Sequence, residues 1–392
     1  MLSFLEAAIS TTVTQGFIEL RVEHKVCREQ GRMSMLSVGI VGLGYWGPNL
    51  MRSLSRIPHV NVKYGCDLDE SKRARLESLY PDAHFIGNFE ELLADDELDA
   101  VVIASPAPTH ASLARQTLLA DKDVFVEKPL ALSPTDAIQL VRLADEKNRI
   151  LMVGHLLEYH PAITRLKQMM LSGELGEIFY IYTHRLNLGI IRQEENALWS
   201  LAPHDLSVSM YLIDQEPIEV QATGHSFLKN GVADVVFGNL KFVDDKSAHF
   251  HVSWLDPHKE RKVTVVGSEK MAVFDDTSGD EKLKIYDKGV RRPEDGSYAE
   301  YIDLRFGDIV TPHLPNDEPL KLECEHFVEC LTQRRCPVSD GHSGLRVVRT
   351  LDALQRSLDA GGQPVSVEDT PYAGLTSPRG QTAANPLNVG SF

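Results

Sequence analysis

The chain has 392 residues, 43% hydrophobic and 24% charged, with a formal net charge of -16. That composition fits a soluble globular protein too long for a single hydrophobic core, and its acidity argues against a nucleic-acid partner, because phosphate backbones are held by basic surfaces. No apolar run is long enough to cross a bilayer, so no membrane partner is expected.

Residues 1–35 read as an N-terminal extension. Met1-Leu-Ser-Phe-Leu lacks the charged start and long apolar stretch of a secretory signal, and Met33 and Met35 precede the first clear strand. Leu36 to Val41 is a short apolar run followed at once by Gly42-Leu-Gly-Tyr-Trp-Gly47. Pro48 suits the first turn of a helix, which is expected to reach about Ile57. Val60 to Cys66 is a second strand ending at Asp67, and Ser71 to Leu79 is helical. His84 to Ile86 is a short strand. Asn88 with Glu91 forms a capping box. Ala100 to Ile103 is a buried strand, Thr109 to Ala120 a helix and Val124 to Val126 a strand. Ser133-Pro134-Thr135-Asp136 caps a helix to about Lys147, and Ile150 to Val153 is the sixth strand. Strands alternating with helices predict an α/β fold opening with a parallel, doubly wound Rossmann sheet over 36–153.

The glycine loop ends a strand, opens a helix and lies within a βαβ unit, the context a dinucleotide site requires. Gly42 permits the tight turn, Gly44 lets the backbone approach a pyrophosphate, and Gly47 lets the helix pack close to the strand. Tyr45 and Trp46 lie inside the motif. Asp67 follows Gly47 by 20 residues, placed to accept from the adenosine ribose hydroxyls and to repel a 2′-phosphate. NAD is therefore expected rather than NADP, with Lys72 and Arg73 as solvated neighbours.

After Gly154 the alternation stops. Phe179 to Asn187, Asp234 to Phe242, His249 to Trp254, Lys262 to Val266 and Met271 to Phe274 read as successive strands, the last two joined through Gly267-Ser268. Leu322 to Leu331 and Leu345 to Leu358 are core helices, the second closed by Gly361-Gly362. The tail over 367–392 is rich in Gly, Pro, Ser, Asn and Thr and reads as a surface arm. Five cysteines, Cys27, Cys66, Cys324, Cys330 and Cys336, match no zinc pattern. They read as reduced thiols of a cytoplasmic protein with no metal site.

Ala104-Ser-Pro-Ala-Pro-Thr-His110 and Val126-Glu-Lys-Pro-Leu130, taken with Gly42 to Gly47, resemble the Gfo/Idh/MocA oxidoreductases over about Leu36 to Val365. The resemblance implies a second α+β domain over 154–366 with an open, mostly antiparallel sheet whose free face makes a homodimer or homotetramer. It also implies that Ser105, Pro106, Thr109, His110, Glu127 and Lys128 line the cofactor, and that the bond before Pro129 is cis. Asn196-Ala-Leu-Trp-Ser-Leu-Ala-Pro-His-Asp205, Arg185-Leu-Asn-Leu-Gly189 and Glu318-Pro-Leu-Lys-Leu-Glu-Cys-Glu-His-Phe327 are similar to the branch acting on UDP-N-acetylglucosamine or its uronate at C3. Inositol-dehydrogenase-like members carry an aspartate four residues before the active-site histidine, where this chain has Ser200.

Oxidising an alcohol requires removal of a hydride, which a nicotinamide takes, and a proton, which the protein handles. Lys128, after the fifth strand, is the expected donor that stabilises the developing alkoxide. His204 is assigned the general base, at the start of a helix expected over Pro203 to Ile213, whose positive end would keep the ring neutral. The reverse assignment, with Lys128 as base, uses the same two residues. His155, Glu158, Tyr159 and His160 lie near the cleft. Tyr159, His160, Arg185, Asn187, Arg192 and Asn196 are candidate substrate contacts, since arginine pairs well with phosphate. The leading expectation is oxidation of a nucleotide sugar. The alternatives are a dehydrogenase of a free sugar, polyol or other cyclic alcohol, a non-catalytic NAD-binding sensor, and an NAD-dependent glycoside hydrolase; the last lacks its glycine–histidine motif here.

Overall fold

The computed structural model describes residues 35–189, 191–192, 195–291 and 303–367. The predicted extension lies outside these except for Met35, as does the predicted tail except for Val367 and as does Cys27.

The first part alternates as predicted: β1 (Leu36–Val41), α1 (Gly47–Leu54), β2 (Val60–Cys66), α2 (Glu70–Glu77), β3 (His84–Ile86), α3 (Phe89–Leu93), β4 (Ala100–Ile103), α4 (His110–Leu119), β5 (Asp123–Glu127), α5 (Pro134–Lys147) and β6 (Leu151–Gly154). The strands form one parallel sheet in the order β3-β2-β1-β4-β5-β6. The direction of winding reverses between β1 and β4, so their carboxyl ends open a crevice suited to a ligand. β4, β5 and β6 are buried throughout, as strands covered by helices on both faces must be.

Side chains at the helix starts set the boundaries. Asp69 accepts from Ser71 N and starts α2. Ser133 accepts from Asp136 N before α5. Asn88 accepts from Glu90 N, so the expected box with Glu91 is a single cap bond. α1 stops short of Ile57, which closes a turn onto Leu54 O (3.0 Å) instead.

The rest of the described chain runs α6 (Pro161–Leu171), β7 (Ile178–Leu186), α7 (Ala197–Ile213), β8 (Glu219–His225), β9 (Val235–Lys241), β10 (Ser247–Ser253), β11 (Glu260–Gly267), β12 (Met271–Asp275), β13 (Leu283–Arg291), β14 (Asp303–Val310), α8 (Pro319–Gln333), α9 (Gly341–Asp359) and β15 (Val365–Ser366). Its sheet has the order β14-β13-β12-β11-β7-β10-β9-β8-β15. β7 and β10 pair parallel, and the other neighbours are antiparallel. The five predicted strands are β7, β9, β10, β11 and β12. β8, β13, β14 and β15 were not anticipated, because strands at the sheet margins need few buried residues and carry no strong apolar signal.

α8 and α9 return to the first sheet. Leu320, Cys324 and Phe327 of α8 pack among Val38, Ile40 and Phe125, with Phe125 and Phe327 edge to face at 5.6 Å. α9 buries Leu345 and Val348 against the parallel sheet and Val347, Leu351 and Leu354 against the second sheet. One long helix thus serves both cores. The described cysteines, Cys66, Cys324, Cys330 and Cys336, are free thiols. Among the described residues no helix is long and apolar enough to cross a membrane, and no group of His, Cys, Asp or Glu is arranged to hold a metal ion.

Candidate active site

The glycine loop has the geometry its sequence implies. Gly42 sits at φ +92, and a Cβ there would stand 2.5 Å from Ser105 N; L-residues rarely adopt this conformation. A Cβ on Gly47 would stand 2.0 Å from Gly42 O, whereas one on Gly44 would meet nothing within 4 Å. The first and last glycines therefore close the loop on the protein, and the middle one faces open space. α1 has no side-chain cap at Trp46 and carries Pro48 in its first turn, leaving its positive end to anions. Tyr45 is exposed and Trp46 half-buried beside it. This cradle fits a dinucleotide pyrophosphate.

Asp67 does two things. Its Oδ2 accepts from Leu43 N (2.8 Å) and its Oδ1 from Asp69 N (2.9 Å), holding the glycine loop. It also stands at the end of β2, the place where a fold of this kind would hold a dinucleotide's ribose. Lys72 stands 3.5 Å from it, and Arg73 Nη1 donates to the carbonyls of Asp67 and Leu68. Both cations are engaged with this turn. Asp67→Asn is expected to weaken NAD binding about tenfold, the loss of a charge-assisted bond of roughly 1.5 kcal/mol, and to narrow the preference over NADP. Titration calorimetry with both cofactors reads this directly; unchanged NAD affinity would remove Asp67 from the site.

The loop after β4 is braced internally. Ser105 Oγ and Thr109 Oγ1 are 2.7 Å apart, and Thr109 Oγ1 donates to Pro106 O (2.8 Å). His110 lies inside the fold. Its ring is buried, with Nδ1 2.7 Å from Pro129 O and Nε2 2.8 Å from Ser105 O, so both nitrogens are occupied by main chain.

Lys128 follows β5 at the carboxyl edge of the sheet, and the peptide bond to Pro129 is cis. Its Nζ donates to Ser200 O (3.1 Å) on α7. Burial lowers its proton affinity, while Glu127 and Glu195 raise it. Glu127 is buried behind it, accepts from Lys128 N (3.3 Å) and is pushed up to about 7 by burial, against the pull of the ammonium.

His204 is placed differently from the expectation. It lies inside α7, which begins at Ala197, because Asn196 Oδ1 caps Trp199 N (3.1 Å) and Pro203 is an interior residue. Proline removes one helical donor without ending the helix here. His204 lies one turn beyond Ser200, so the two share a face, and the lysine's hold on Ser200 O brings Lys128 and His204 together. The ring is kept neutral by burial first, then by the Lys128 and Arg185 cations; a helix terminus plays no part. His204 Nδ1 is buried with no partner among the described residues.

The predicted substrate contacts separate into two groups. Arg185 reaches the site, and its charge bears on both Lys128 and His204, but its Nε is held by Asp205 Oδ2 at 2.7 Å, with the side chains 11% and 1% exposed. Its Nη2 also lies 3.4 Å from Asp205 Oδ1, so the pair fixes the guanidinium in place. Arg192 pairs with Glu195 at 3.0 Å, stays largely exposed and bears on Lys128. Asn187 is half-buried at the end of β7. Three others are occupied elsewhere. Tyr159 OH is bonded to Ser339 Oγ (2.8 Å). His160 Nδ1 caps α6 through Ala162 N (3.0 Å). Asn196 spends its oxygen on the α7 cap and its Nδ2 on Gln355 Oε1 (2.8 Å). His155, placed near the cleft by the sequence, was given no role there. Glu127 pairs with Gly154 across β5 and β6, which puts Lys128 and His155 at neighbouring strand ends. The His155 ring is buried, both nitrogens lack a partner among the described residues, and burial with Lys128 nearby pushes it down to about 3.

Asp205→Ala leaves Arg185 buried and unpaired beside two other basic groups. It is expected to destabilise the fold by about 3–5 kcal/mol, the usual result of breaking a buried pair from one side. A denaturant melt of the variant against wild type measures it; a loss under about 1 kcal/mol would class the pair with surface bridges.

Two family models match the chain. The first, described as an oxidoreductase family with an NAD-binding Rossmann fold, covers residues 36–155, and the second, a GFO/IDH/MocA C-terminal domain, covers residues 163–273. UDP-N-acetylglucosamine 3-dehydrogenase of Acidithiobacillus ferrooxidans is 25% identical over 331 residues, spanning 84% of this chain and 99% of that protein. Its crystal structure superposes with a TM-score of 0.72 at 23% identity, covering 83% and 98% of the two chains. The NAD complex of GenD2 from gentamicin A biosynthesis gives a TM-score of 0.71 at 24% identity, covering 86% and 97%. Inositol 2-dehydrogenase of Salmonella typhimurium is 27% identical over 187 residues, 46% of this chain and 55% of that enzyme. With these matches added to the glycine cradle, Asp67 and the Lys128–His204 pair, the chain belongs to the GFO/IDH/MocA family of NAD-binding oxidoreductases.

Proposed function

We propose that this dehydrogenase oxidises the C3 hydroxyl of a UDP-linked N-acetylhexosamine, or of its uronate, to a 3-keto sugar. The ketone would serve 3-amino sugar and surface-glycan biosynthesis. The observation that carries this reading is the extent of similarity: the match to the UDP-N-acetylglucosamine 3-dehydrogenase runs over nearly the whole of that enzyme, whereas the match to an inositol 2-dehydrogenase stops near half. Ser200 supports it, because the aspartate of inositol-type members is missing from the turn before His204.

Gly42, Gly44, Gly47, Asp67 and the loop from Ser105 would hold NAD, which when bound supplies the hydride acceptor. The chain's own residues manage the proton. Lys128, with one donor on Ser200 O and others available in its ammonium, bonds the substrate oxygen and stabilises it as negative charge develops. His204, neutral in its buried setting, takes the hydroxyl proton. Arg192 and Asn187 border the substrate side. We also assign the chain to a cytoplasmic homodimer or homotetramer formed through the second sheet, whose strands leave Tyr180 and Phe237 exposed; multi-angle light scattering gives the mass.

Equilibrium binding to the NAD-loaded protein tests recognition of the nucleotide. UDP-N-acetylglucosamine should bind well above free N-acetylglucosamine, and UDP should compete. Equal binding of the free sugar would move the enzyme toward free sugars or polyols.

A further inference from the structure

Four charged side chains, Arg185, Arg261, Asp276 and Lys282, cross one end of the second sheet. Arg185 lies near the end of β7 and is bonded to Asp205, the residue after His204. Arg261 on β11 is its direct cross-strand partner, one strand spacing of about 4.8 Å away. Successive residues of a strand point to opposite faces. Val263 and Val265 belong to the core that holds Leu198, Ala202 and Leu206 of α7, whereas Lys262 and Thr264 line a cavity on the other face with Tyr182 and His184. Arg261 therefore shares the face of Arg185 and α7, and its charge bears on the His204 ring. Asp276 follows β12 and donates its N–H to Arg261 O (2.9 Å), and Lys282 precedes β13, its O accepting from Asp275 N (2.8 Å).

The charges in this row do not balance. Arg185 and Asp205 close on each other as a buried pair. Arg261 and Lys282, with side chains 45% and 31% exposed, share one carboxylate: Asp276 Oδ2 lies 3.4 Å from Arg261 Nη1, and Asp276 Oδ1 lies 3.6 Å from Lys282 Nζ. Lys282 Nζ also donates to Asp276 O (3.0 Å). His160 Nε2 stands 3.9 Å from the same carboxylate, but burial pushes that ring down to about 4, so it is neutral near neutral pH. One positive charge is left over beside the catalytic pair, in a chain of net charge -16. Exposed bridges of this length add little to stability, so holding the fold does not account for the second cation.

We infer that Arg261 and Lys282 bind the diphosphate of the substrate and are the residues by which the enzyme selects a sugar carried on a nucleotide. This rests on the nucleotide-sugar reading above. With the C3 hydroxyl at Lys128 and His204, the anomeric carbon lies two ring atoms away, and the diphosphate begins beyond it. Arg185, beside His204, is taken by Asp205; Arg261 stands one strand farther, in the direction that offset requires. A guanidinium matches two phosphate oxygens in its plane, and an ammonium adds a point charge. Asp276 keeps the two cations side by side and competes with the ligand for them.

Calorimetric titration of UDP into the NAD-loaded enzyme reads this site without chemistry. Arg261→Gln and Lys282→Gln should each weaken UDP about tenfold, the loss of a charge-assisted bond, with the NAD Kd and the melting temperature near wild type. In turnover the loss should fall on the KM of UDP-N-acetylglucosamine, with kcat within about threefold of wild type, as for binding shared by ground and transition states. Asp276→Asn should act in the opposite direction and tighten UDP about threefold by freeing both cations, a gain that a structural role alone does not produce. UDP bound equally by wild type and both glutamine variants would overturn the inference. Weakening confined to the uronate, with UDP unaffected, would assign the cations to a C6 carboxylate and overturn it too. Failure of the wild type itself to bind UDP would remove the nucleotide-sugar reading, and the inference with it.

Discussion

Lys128→Ala is expected to lower kcat by about 10²–10³-fold, the usual cost of removing one donor aimed at a developing oxyanion, while NAD still binds. The lysine is set by β5 at the carboxyl edge of the sheet, and its Nζ touches α7 one turn before His204. Among the described residues the two arginines nearest this placement are otherwise engaged: Arg185 pairs with Asp205, and Arg192 is largely exposed and paired with Glu195. The cofactor contacts at Gly42, Gly44, Gly47 and Asp67 are untouched by the substitution, so cofactor affinity serves as the control. Stopped-flow hydride transfer with calorimetric NAD titration measures both. Turnover within about threefold of wild type, under 1 kcal/mol in the barrier, would remove Lys128 from the chemistry.

His204→Ala should cost about 10²–10⁴-fold in kcat/KM, the range for loss of a positioned general base. The pH dependence follows from the direction of its shift. The base works as the neutral ring, and burial with the Lys128 and Arg185 cations holds its proton affinity well below 6.5. The neutral form therefore persists as pH falls through the ordinary histidine range. Any acid decline in kcat/KM due to His204 should appear only well below that range and should vanish in the alanine variant. If His204→Ala retained the wild-type rate, the base would have to be Lys128, whose proton affinity burial also lowers.

The parallel sheet was legible because each of its strands is a short apolar run bounded by cap or turn residues, and the pattern repeats from Leu36 to Gly154. The glycine loop was legible for a steric reason: Gly42 and Gly47 stand where a Cβ would strike backbone. The second sheet was only half visible. β9, β10 and β12 bury alternate side chains and β11 a continuous run of five, whereas β14 is largely exposed and β13 is rich in charge. In the site, the sequence named Lys128 and His204, which the fold brings together, but it gave another reason for the neutral histidine. Pro203 looked like a helix start, and the cap at Asn196 that overrides it depends on one side-chain bond to Trp199 N. Tyr159, His160, Asn196 and His110 are polar and close in sequence to functional segments, yet each spends its polar atoms on the fold. For Tyr159, Asn196 and His110 the partners Ser339, Gln355 and Pro129 lie farther along the chain, and the sequence does not display such pairings; His160 is taken up by the local cap on Ala162 N. His155 was placed near the cleft, but its two ring nitrogens, buried with no partner among the described residues, are a feature of the fold that the sequence does not display.

The proposed activity is oxidation of a sugar carried on a nucleotide, with NAD as the hydride acceptor and Lys128 and His204 managing the proton. The most direct test is ketone formation with NAD and a carbonyl trap from four compounds: UDP-N-acetylglucosamine, its uronate, free glucose and inositol. Mass spectrometry of the trapped product would locate the carbonyl. A 3-keto product from one or both UDP sugars, with none from glucose or inositol, is the predicted result, and the reactive member of the pair identifies the group at C6. Ketone from glucose or inositol alone would contradict the nucleotide-sugar assignment, and no ketone from any of the four by an NAD-binding protein would contradict the catalytic one.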